Sequence, residues 1–409
     1  MDISRISKAI AEVRGDQKFQ DAEDVRNKDI DLLLPAALSD SVRRMAQTAT
    51  ALILRGFTGK LRIHCLNSDP ILRSLIETEA GKMGALNRLD FVSHDMGPWR
   101  LALGCMSDRV ISADASGWTA RINGIFDDRK PAAAPAIAFA VACAIAKLFN
   151  HAIFGIDKYA FETWDFCLLR FSVGENVPVD AEQIDFGKIG LLGAGGIGSA
   201  VGYVLSISDW SGKLDIIDFD TFQGPNLETC ISADIRDVNR PLRKALALTG
   251  TFHGHKIVTI ERECKVKGGE AILQEKWNAF VCGVDNPETR LVLDNVNADI
   301  LLNAGLGSTK QDVGWVLWTQ HGENDPALSS IYKTSSEEKL NDSGDVPEEF
   351  REKCLRKSYQ GVSLALPFIG LAAGSLLVAS LYQNVVGKRN RNTFMQMDLF
   401  AKQQRITIR

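Results

Sequence analysis

One short run constrains this chain more than any other: Gly193-Ala-Gly195-Gly196-Ile-Gly198-Ser199, directly after the apolar Ile189-Gly-Leu-Leu192 and before the helix-forming stretch Ser199–Ser206. A strand, a glycine turn and a helix in this order suit a tight turn at Gly193, close backbone approach at Gly195 and helix packing at Gly198. The helix start then offers unpaired N–H groups and a positive dipole end to an anion. Asp218 lies 20 residues beyond Gly198, at the end of the next apolar run, where a carboxylate can meet ribose hydroxyls. Together these features predict a nucleotide site in a parallel α/β sheet. The glycine turn alone would be weak, because such turns also serve purely structural ends.

The rest of the chain supports that fold class. Leu214–Ile217, Ile257–Ile260, Ala279–Cys282 and Trp315–Trp318 read as further strands, and Thr393–Leu399 alternates like an edge strand. Upstream, residues 1 to about 55 read as helical, including Leu32-Leu33-Leu34 and a Ser41-started segment with Val42, Met45 and Leu52 on one face. Leu61–Cys65 reads as a strand, Pro70–Met83 as a helix, and Phe91-Val92 and Leu101–Cys105 as short buried strands. Strands alternating with helices imply a mostly parallel sheet covered on both faces. The polar stretch from His321 to Pro347 reads as a mobile crossover loop.

Composition excludes several alternatives. With 47 basic and 51 acidic residues the net charge is −4, so no basic surplus advertises nucleic acid. The eight cysteines form no C-x-x-C pair, which withdraws support from zinc ribbons and redox dithiols and fits a reducing cytoplasmic setting. Met1–Arg5 lack the apolar core of a secretion signal. Ala132–Phe154 and Ala365–Val386 are apolar enough to raise a membrane reading, but polar interruptions and α/β flanks favour buried helices and no membrane partner. The two stretches echo each other: Pro135 leads to Gly155 and Pro367 to Gly387, each over 20 residues. Any buried helix of this length can look so; the sharper reading is two related α/β halves, the first without a glycine loop.

The ordered set Gly193–Ser199, Asp218-Phe-Asp220, Pro225-Asn226-Leu227 and Gly283-Val-Asp285-Asn286 with Arg290 resembles the adenylation domain of the ubiquitin-activating superfamily, which includes ThiF-type adenylyltransferases. The resemblance covers roughly residues 185–387. It implies that Gly193, Gly195, Gly196, Gly198, Asp218, Asp220 and Asn226 bind ATP, with Asp218 on the ribose and Asn226 near the triphosphate. It also implies that Asp285 holds Mg²⁺, as a carboxylate beside phosphates suits; a helix cap is the weaker alternative for Asp285-Asn286, and both can hold. Two departures stand out. Thr229 occupies a position where the family carries Arg, and the family's Lys after Pro is displaced, leaving Arg243 or Lys244 behind Pro241 for that role. Arg236, Arg240 or a second subunit could supply the missing cation. Absence of zinc-binding cysteines favours conjugation-type relatives, which often carry an inactive half ahead of the active one.

Cys354, in the polar loop among Arg351, Lys353, Arg356 and Lys357, is the candidate nucleophile, because cationic neighbours favour the thiolate. An idle surface thiol is the alternative; Cys230 is a weaker rival, and Cys282 reads as core. His253-Gly-His255 reads as a turn, since two imidazoles lack a third ligand nearby, and Trp315 and Trp318 read as packing residues.

The sequence therefore predicts an inactive, adenylation-like domain at 1–180 and an active one at 181–409, with a crossover loop at 320–360. The expected activity is ATP- and Mg²⁺-dependent adenylation of a ubiquitin-like protein's C-terminus. Thioester formation on Cys354 and transfer to a conjugating enzyme would follow. Similar short activating enzymes of bacterial antiviral conjugation operons offer one setting. The alternatives are a ThiF-like adenylyltransferase without thioester transfer, a nucleotide-binding pseudoenzyme scaffold and a dinucleotide oxidoreductase. Whether both halves of a working unit come from one chain or from a homodimer is left open.

Overall fold

The computed structural model describes residues 4–14, 19–65, 69–92, 96–107, 109–155, 161–179, 184–240, 242–263, 270–284, 289–290, 292–307, 313–322, 366–387, 394–400 and 406–408. Among them, β1 (Ile30–Leu33), β2 (Leu61–His64), β3 (Leu89–Val92), β4 (Arg100–Leu103), β5 (Ile111–Ser116), β6 (Thr119–Ile122) and β7 (Trp164–Cys167) form one sheet in the order β3-β2-β1-β4-β5-β6-β7. A second sheet holds β8 (Asp185–Leu192), β9 (Ser211–Ile217), β10 (Ile257–Arg262), β11 (Ala279–Cys282), β12 (Leu301–Leu306), β13 (Trp315–His321), β14 (Phe394–Asp398) and β15 (Ile406–Ile408). Its order, β10-β9-β8-β11-β12-β13-β14-β15, repeats the first and adds one strand, β15, at the end. In both, five parallel strands are followed by antiparallel ones. The expected α/β, Rossmann-like class is what the structure shows, and the internal echo extends from two helices to the whole strand order.

The helices among the described residues are α1 (Arg5–Arg14), α2 (Phe19–Arg26), α3 (Asp40–Gly56), α4 (Pro70–Lys82), α5 (Ala134–Phe154), α6 (Gly196–Ser206), α7 (Gly224–Thr229), α8 (Ile235–Asn239), α9 (Lys244–Gly250), α10 (Glu270–Gln274) and α11 (Pro367–Val385). The proline-led pair α5 and α11 pack on each other, and α11 also packs on α6. Both pass a length and hydropathy test for a membrane span, yet both are mostly buried in protein. Their close approach depends on small residues: a Cβ on Gly374 of α11 would lie 2.8 Å from Ala200 of α6. One apolar core runs through both halves, from Leu52 and Phe139 to Val204 and Leu371. Aromatic pairs fasten it, with Phe149 and Phe368 rings 5.1 Å apart and Trp118 and Tyr382 rings 4.3 Å apart.

Three local expectations need correction. Leu32-Leu33 belong to β1 and not to a helix, because Leu32 is fully buried in a strand paired on both sides. The following helix starts at Asp40, capped by Ser39, whose side chain accepts the Val42 N–H. β14 is an interior strand, since β15 pairs with its outer side. The boundary at residue 180 and the crossover loop from residue 323 to 360 lie outside the described residues, as do Asp285, Asn286 and Cys354.

Candidate functional site

Equal strand orders do not make the halves equal. In each sheet the central strand is flanked by strands whose crossovers leave in opposite directions, which opens a crevice at the strands' C-terminal ends. In the first half, Leu34-Pro35-Ala36-Ala37-Leu38-Ser39 follows β1, and the α3 start is occupied by its own Ser39 cap and Asp40. A capped, acidic helix start repels an anion. In the second half, α6 starts at Gly196 behind the N-cap Gly195, with no side-chain cap and no acidic residue in its first turn.

The glycine turn is built by close contacts. Gly193 has φ +87°, a conformation that L side chains resist. A Cβ on Gly198 would fall 1.7 Å from the Gly193 carbonyl oxygen, so α6 can start only with a bare backbone there. Gly283, after β11, lies against the same corner: its added Cβ would sit 3.0 Å from the Gly198 nitrogen. Gly195 differs, since a Cβ there meets nothing within 4 Å. Its missing side chain leaves space that a ligand could use.

Asp218 joins the elements around this space. Its Oδ2 accepts the Ala194 N–H at 2.6 Å and its Oδ1 the Asp220 N–H at 2.8 Å. Burial pushes its carboxyl pKa up, while those two amides and the Lys244 charge oppose the shift. Each oxygen keeps a lone pair for a further donor. The half-exposed Asp220 carboxylate pairs with the Lys244 Nζ at 2.9 Å, and Asp220 O accepts the Lys244 N–H at 2.8 Å. Thus Lys244, at the start of α9, faces the Asp218–Asp220 turn. Arg243 is engaged elsewhere, with Glu261 at 2.7 Å and with Glu263.

Asn226 is buried in α7 and its Oδ1 accepts the Gln223 N–H at 3.0 Å, so it shapes its own turn. Thr229 is buried beside Cys230, which leaves no room for an arginine at that position without rebuilding α7. Cys230 is buried as well, and burial pushes its thiol pKa up. Arg236 pairs with its neighbour Asp234 at 2.6 Å. Arg290 donates to the Val284 carbonyl at 3.0 and 2.7 Å, fixing the residue that precedes Asp285. Cys282 and Trp318 are core residues; the Trp318 ring contacts that of Phe171 at 4.7 Å. No metal-ligating cluster occurs among the described residues, His253 and His255 included.

The first half contributes residues that sequence reading missed. α1 packs on α7, Ser4 Oγ donates to Glu228 Oε2 at 2.6 Å, and Arg26 Nη1 reaches Glu228 Oε1 at 3.1 Å. No local motif could reveal contacts across more than 200 residues.

No curated protein sequence matches the chain. Several solved structures are weakly similar. E. coli MccB with MccA-N7isoASN shares 14% identity at TM-score 0.39 over 54% of this chain and 63% of that one. PaaA shares 14% at 0.40 over 56% and 72%, and TcdA (CsdL) 14% at 0.33 over 49% and 86%. The chain thus spans 63% of the first of these, less than two thirds of its length. Among family models, residues 187–388, the segment that carries the glycine turn, Asp218, Lys244 and α11, match the BilD C-terminal domain.

Proposed function

We propose that the second half activates a carboxylic acid with ATP, and that the acid is the C-terminus of a ubiquitin-like protein. The observation that carries the reading is the linked set of Asp218, Asp220 and Lys244 beside an uncapped helix start. A redox dinucleotide needs the ribose carboxylate and the glycine turn only. A paired lysine at the same crevice adds positive charge where a triphosphate would lie.

The α6 amides and the space at Gly195 would receive phosphate oxygens, and Asp218, already oriented by two amides, would accept ribose hydroxyls. Lys244 would balance charge on the leaving pyrophosphate in place of the arginine that Thr229 replaces. The oxygen-rich Asp218–Asp220 turn suits a hard cation, and Asp285 would hold Mg²⁺, which when bound neutralises phosphate charge. The substrate's carboxylate oxygen attacks Pα, a new O–P bond forms, and the bond from Pα to the bridging oxygen breaks with loss of pyrophosphate. The Cys354 thiolate then attacks the acyl carbon, AMP leaves, and a thioester remains for a conjugating enzyme.

ATP–pyrophosphate exchange with candidate ubiquitin-like proteins tests this. Asp285→Ala should abolish exchange, while Cys354→Ala should keep exchange and lose only a thiol-sensitive adduct. Turnover wholly intact in Cys354→Ala would favour a ThiF-like enzyme that modifies a peptide or sulfur carrier directly. Nucleotide binding with no exchange would indicate a scaffold, and undiminished exchange in Asp285→Ala would remove the metal assignment.

A further inference from the structure

β11 ends at Cys282, and the chain leaves the second sheet through Gly283 and Val284. The Gly283 N–H still donates to Leu192 O at 2.9 Å, which ties this corner to the last residue of β8, just ahead of the glycine turn. The Val284 carbonyl lies past the strand ladder and takes its hydrogen bonds from a side chain. Arg290 supplies two of them, from Nε at 3.0 Å and Nη2 at 2.7 Å. Nη2 also lies 3.4 Å from Ala304 O in the adjacent strand β12. The guanidinium thus spans the ends of β11 and β12. Its planar fork suits carbonyls from two strands, where an ammonium would act as a single point.

Gly305 of β12 makes room for that fork. A Cβ there would lie 3.2 Å from Nη1 and 3.3 Å from Nη2, so a side chain would push the guanidinium aside. The clamped residue in turn meets the glycine turn. A Cβ on Gly193 would come 2.8 Å from Val284 Cγ1, so the Val284 side chain stands directly against the residue whose φ is +87°. Gly283 approaches the same turn: its added Cβ would lie 3.3 Å from the Ile197 side chain, at the start of α6. Residues 283 and 284 therefore form one wall of the turn. A guanidinium beside a nucleotide crevice invites a role as counter-ion to phosphate, but here Nε and Nη2 are committed to backbone carbonyls.

We propose that Arg290 is a positioning residue: it holds Val284 against Gly193 and so keeps the glycine turn in the conformation that receives phosphate, without touching nucleotide itself. Its effect on turnover rests on the adenylation reading above; its effect on the turn does not.

Arg290→Lys, which keeps the charge and loses the fork, is compared in the full chain with wild type, Val284→Ala and the double variant. The Gly193 and Ala194 amides, bonded to Ile217 O and Asp218, should exchange hydrogen about tenfold faster in Arg290→Lys, while α11 keeps its protection. MgATP affinity by direct titration should fall about tenfold, and Val284→Ala alone should lower it about threefold to fivefold. Because Arg290 acts through Val284, the double variant should lie within about twofold of Arg290→Lys. In pyrophosphate exchange KM for ATP should rise by about the same tenfold, with kcat within about twofold of wild type. Gly305→Ala leaves every donor in place but crowds the guanidinium, and should lower MgATP affinity about twofold to threefold. It decides the matter should Arg290→Lys fail to fold. Wild-type affinity in Arg290→Lys, unchanged exchange at Gly193 and Ala194, or full additivity with Val284→Ala would each overturn the proposal. So would a kcat loss of about 10² at unaltered affinity, which would make Arg290 a counter-ion of departing pyrophosphate. A wild type without pyrophosphate exchange would sink the adenylation reading instead, and hydrogen exchange with titration would still decide the positioning role.

Discussion

The Asp218 carboxylate reaches from the end of β9 to the Ala194 N–H, 2.6 Å away inside the glycine turn. It therefore shapes the loop that it would help to load, and its ionisation acts on both tasks. Burial raises its pKa above 3.8, so protonation begins at higher pH than for an exposed aspartate. The charged form accepts both amides; protonation turns one acceptor into a donor facing an N–H. MgATP affinity should therefore fall as pH drops toward the raised pKa, and Asp218→Asn should lower affinity and flatten that limb. Stability moves the other way. The folded state holds this proton more tightly than the unfolded one, so the contribution of Asp218 to stability rises on acidification within that window and is lost as pH climbs through the raised pKa. Titration calorimetry and thermal melts across the acid range separate the two trends.

Much of this site could be read from residue order, because its parts are local. Gly193, Gly198 and Asp218 obey a strand–turn–helix grammar, and α5 and α11 declare themselves by a leading proline and a long, mostly apolar run. Leu32-Leu33 were misread because an apolar run has no period to separate a buried strand from a helix. β14 passed for an edge because its partner, β15, has only three residues, Ile406–Ile408. The shared topology of the halves was legible only at their long helices, since strand order is a long-range property. Arg26 and Glu228 carry no local signal; their pairing exists only once the two halves share a core.

Two glycines of one motif should fail differently. Gly198→Ala forces a Cβ to within 1.7 Å of the Gly193 carbonyl, so the turn must open; about 3 kcal/mol of stability or more should go, together with nucleotide binding. Gly195→Ala meets open space and should cost about 1 kcal/mol, the penalty of alanine at a helix N-cap. Its added methyl nevertheless occupies the approach to the α6 amides, so MgATP binding should weaken in a protein that melts close to wild type. Chemical denaturation and ligand titration of the pair distinguish an architectural glycine from a ligand-facing one.

Lys147 offers a test of the shared core. It lies in α5 among apolar residues, almost wholly buried, and burial lowers its pKa from 10.5. The unfolded state holds that proton more tightly, so stability should rise with pH between the lowered value and 10.5. Lys147→Met fills similar volume without the charge, so it should remove that pH dependence. Denaturant midpoints on both sides of the window measure it.

Arg243 and Lys244 are chain neighbours with opposite commitments. Arg243 is spread between Glu261 and Glu263 on the β10 side, and half-exposed pairs of this kind contribute little. The Lys244 side chain is 11% exposed and reaches Asp220, so its charge sits at the turn that Asp218 orders. Bound nucleotide would share that charge with Asp220, and a transition state that spreads negative charge onto departing pyrophosphate would draw on it more strongly than the ground state does. Lys244→Ala should therefore lower kcat/KM for pyrophosphate exchange by about 10², with a smaller loss in MgATP affinity. Arg243→Ala should stay within about threefold of wild type in both, as surface ion pairs predict. Lys244→Arg should recover part of the rate, since it restores the charge but replaces the compact ammonium with a planar guanidinium. A larger loss in Arg243→Ala than in Lys244→Ala would move the cation role one residue back and require Arg243 to leave Glu261 and Glu263 when nucleotide binds.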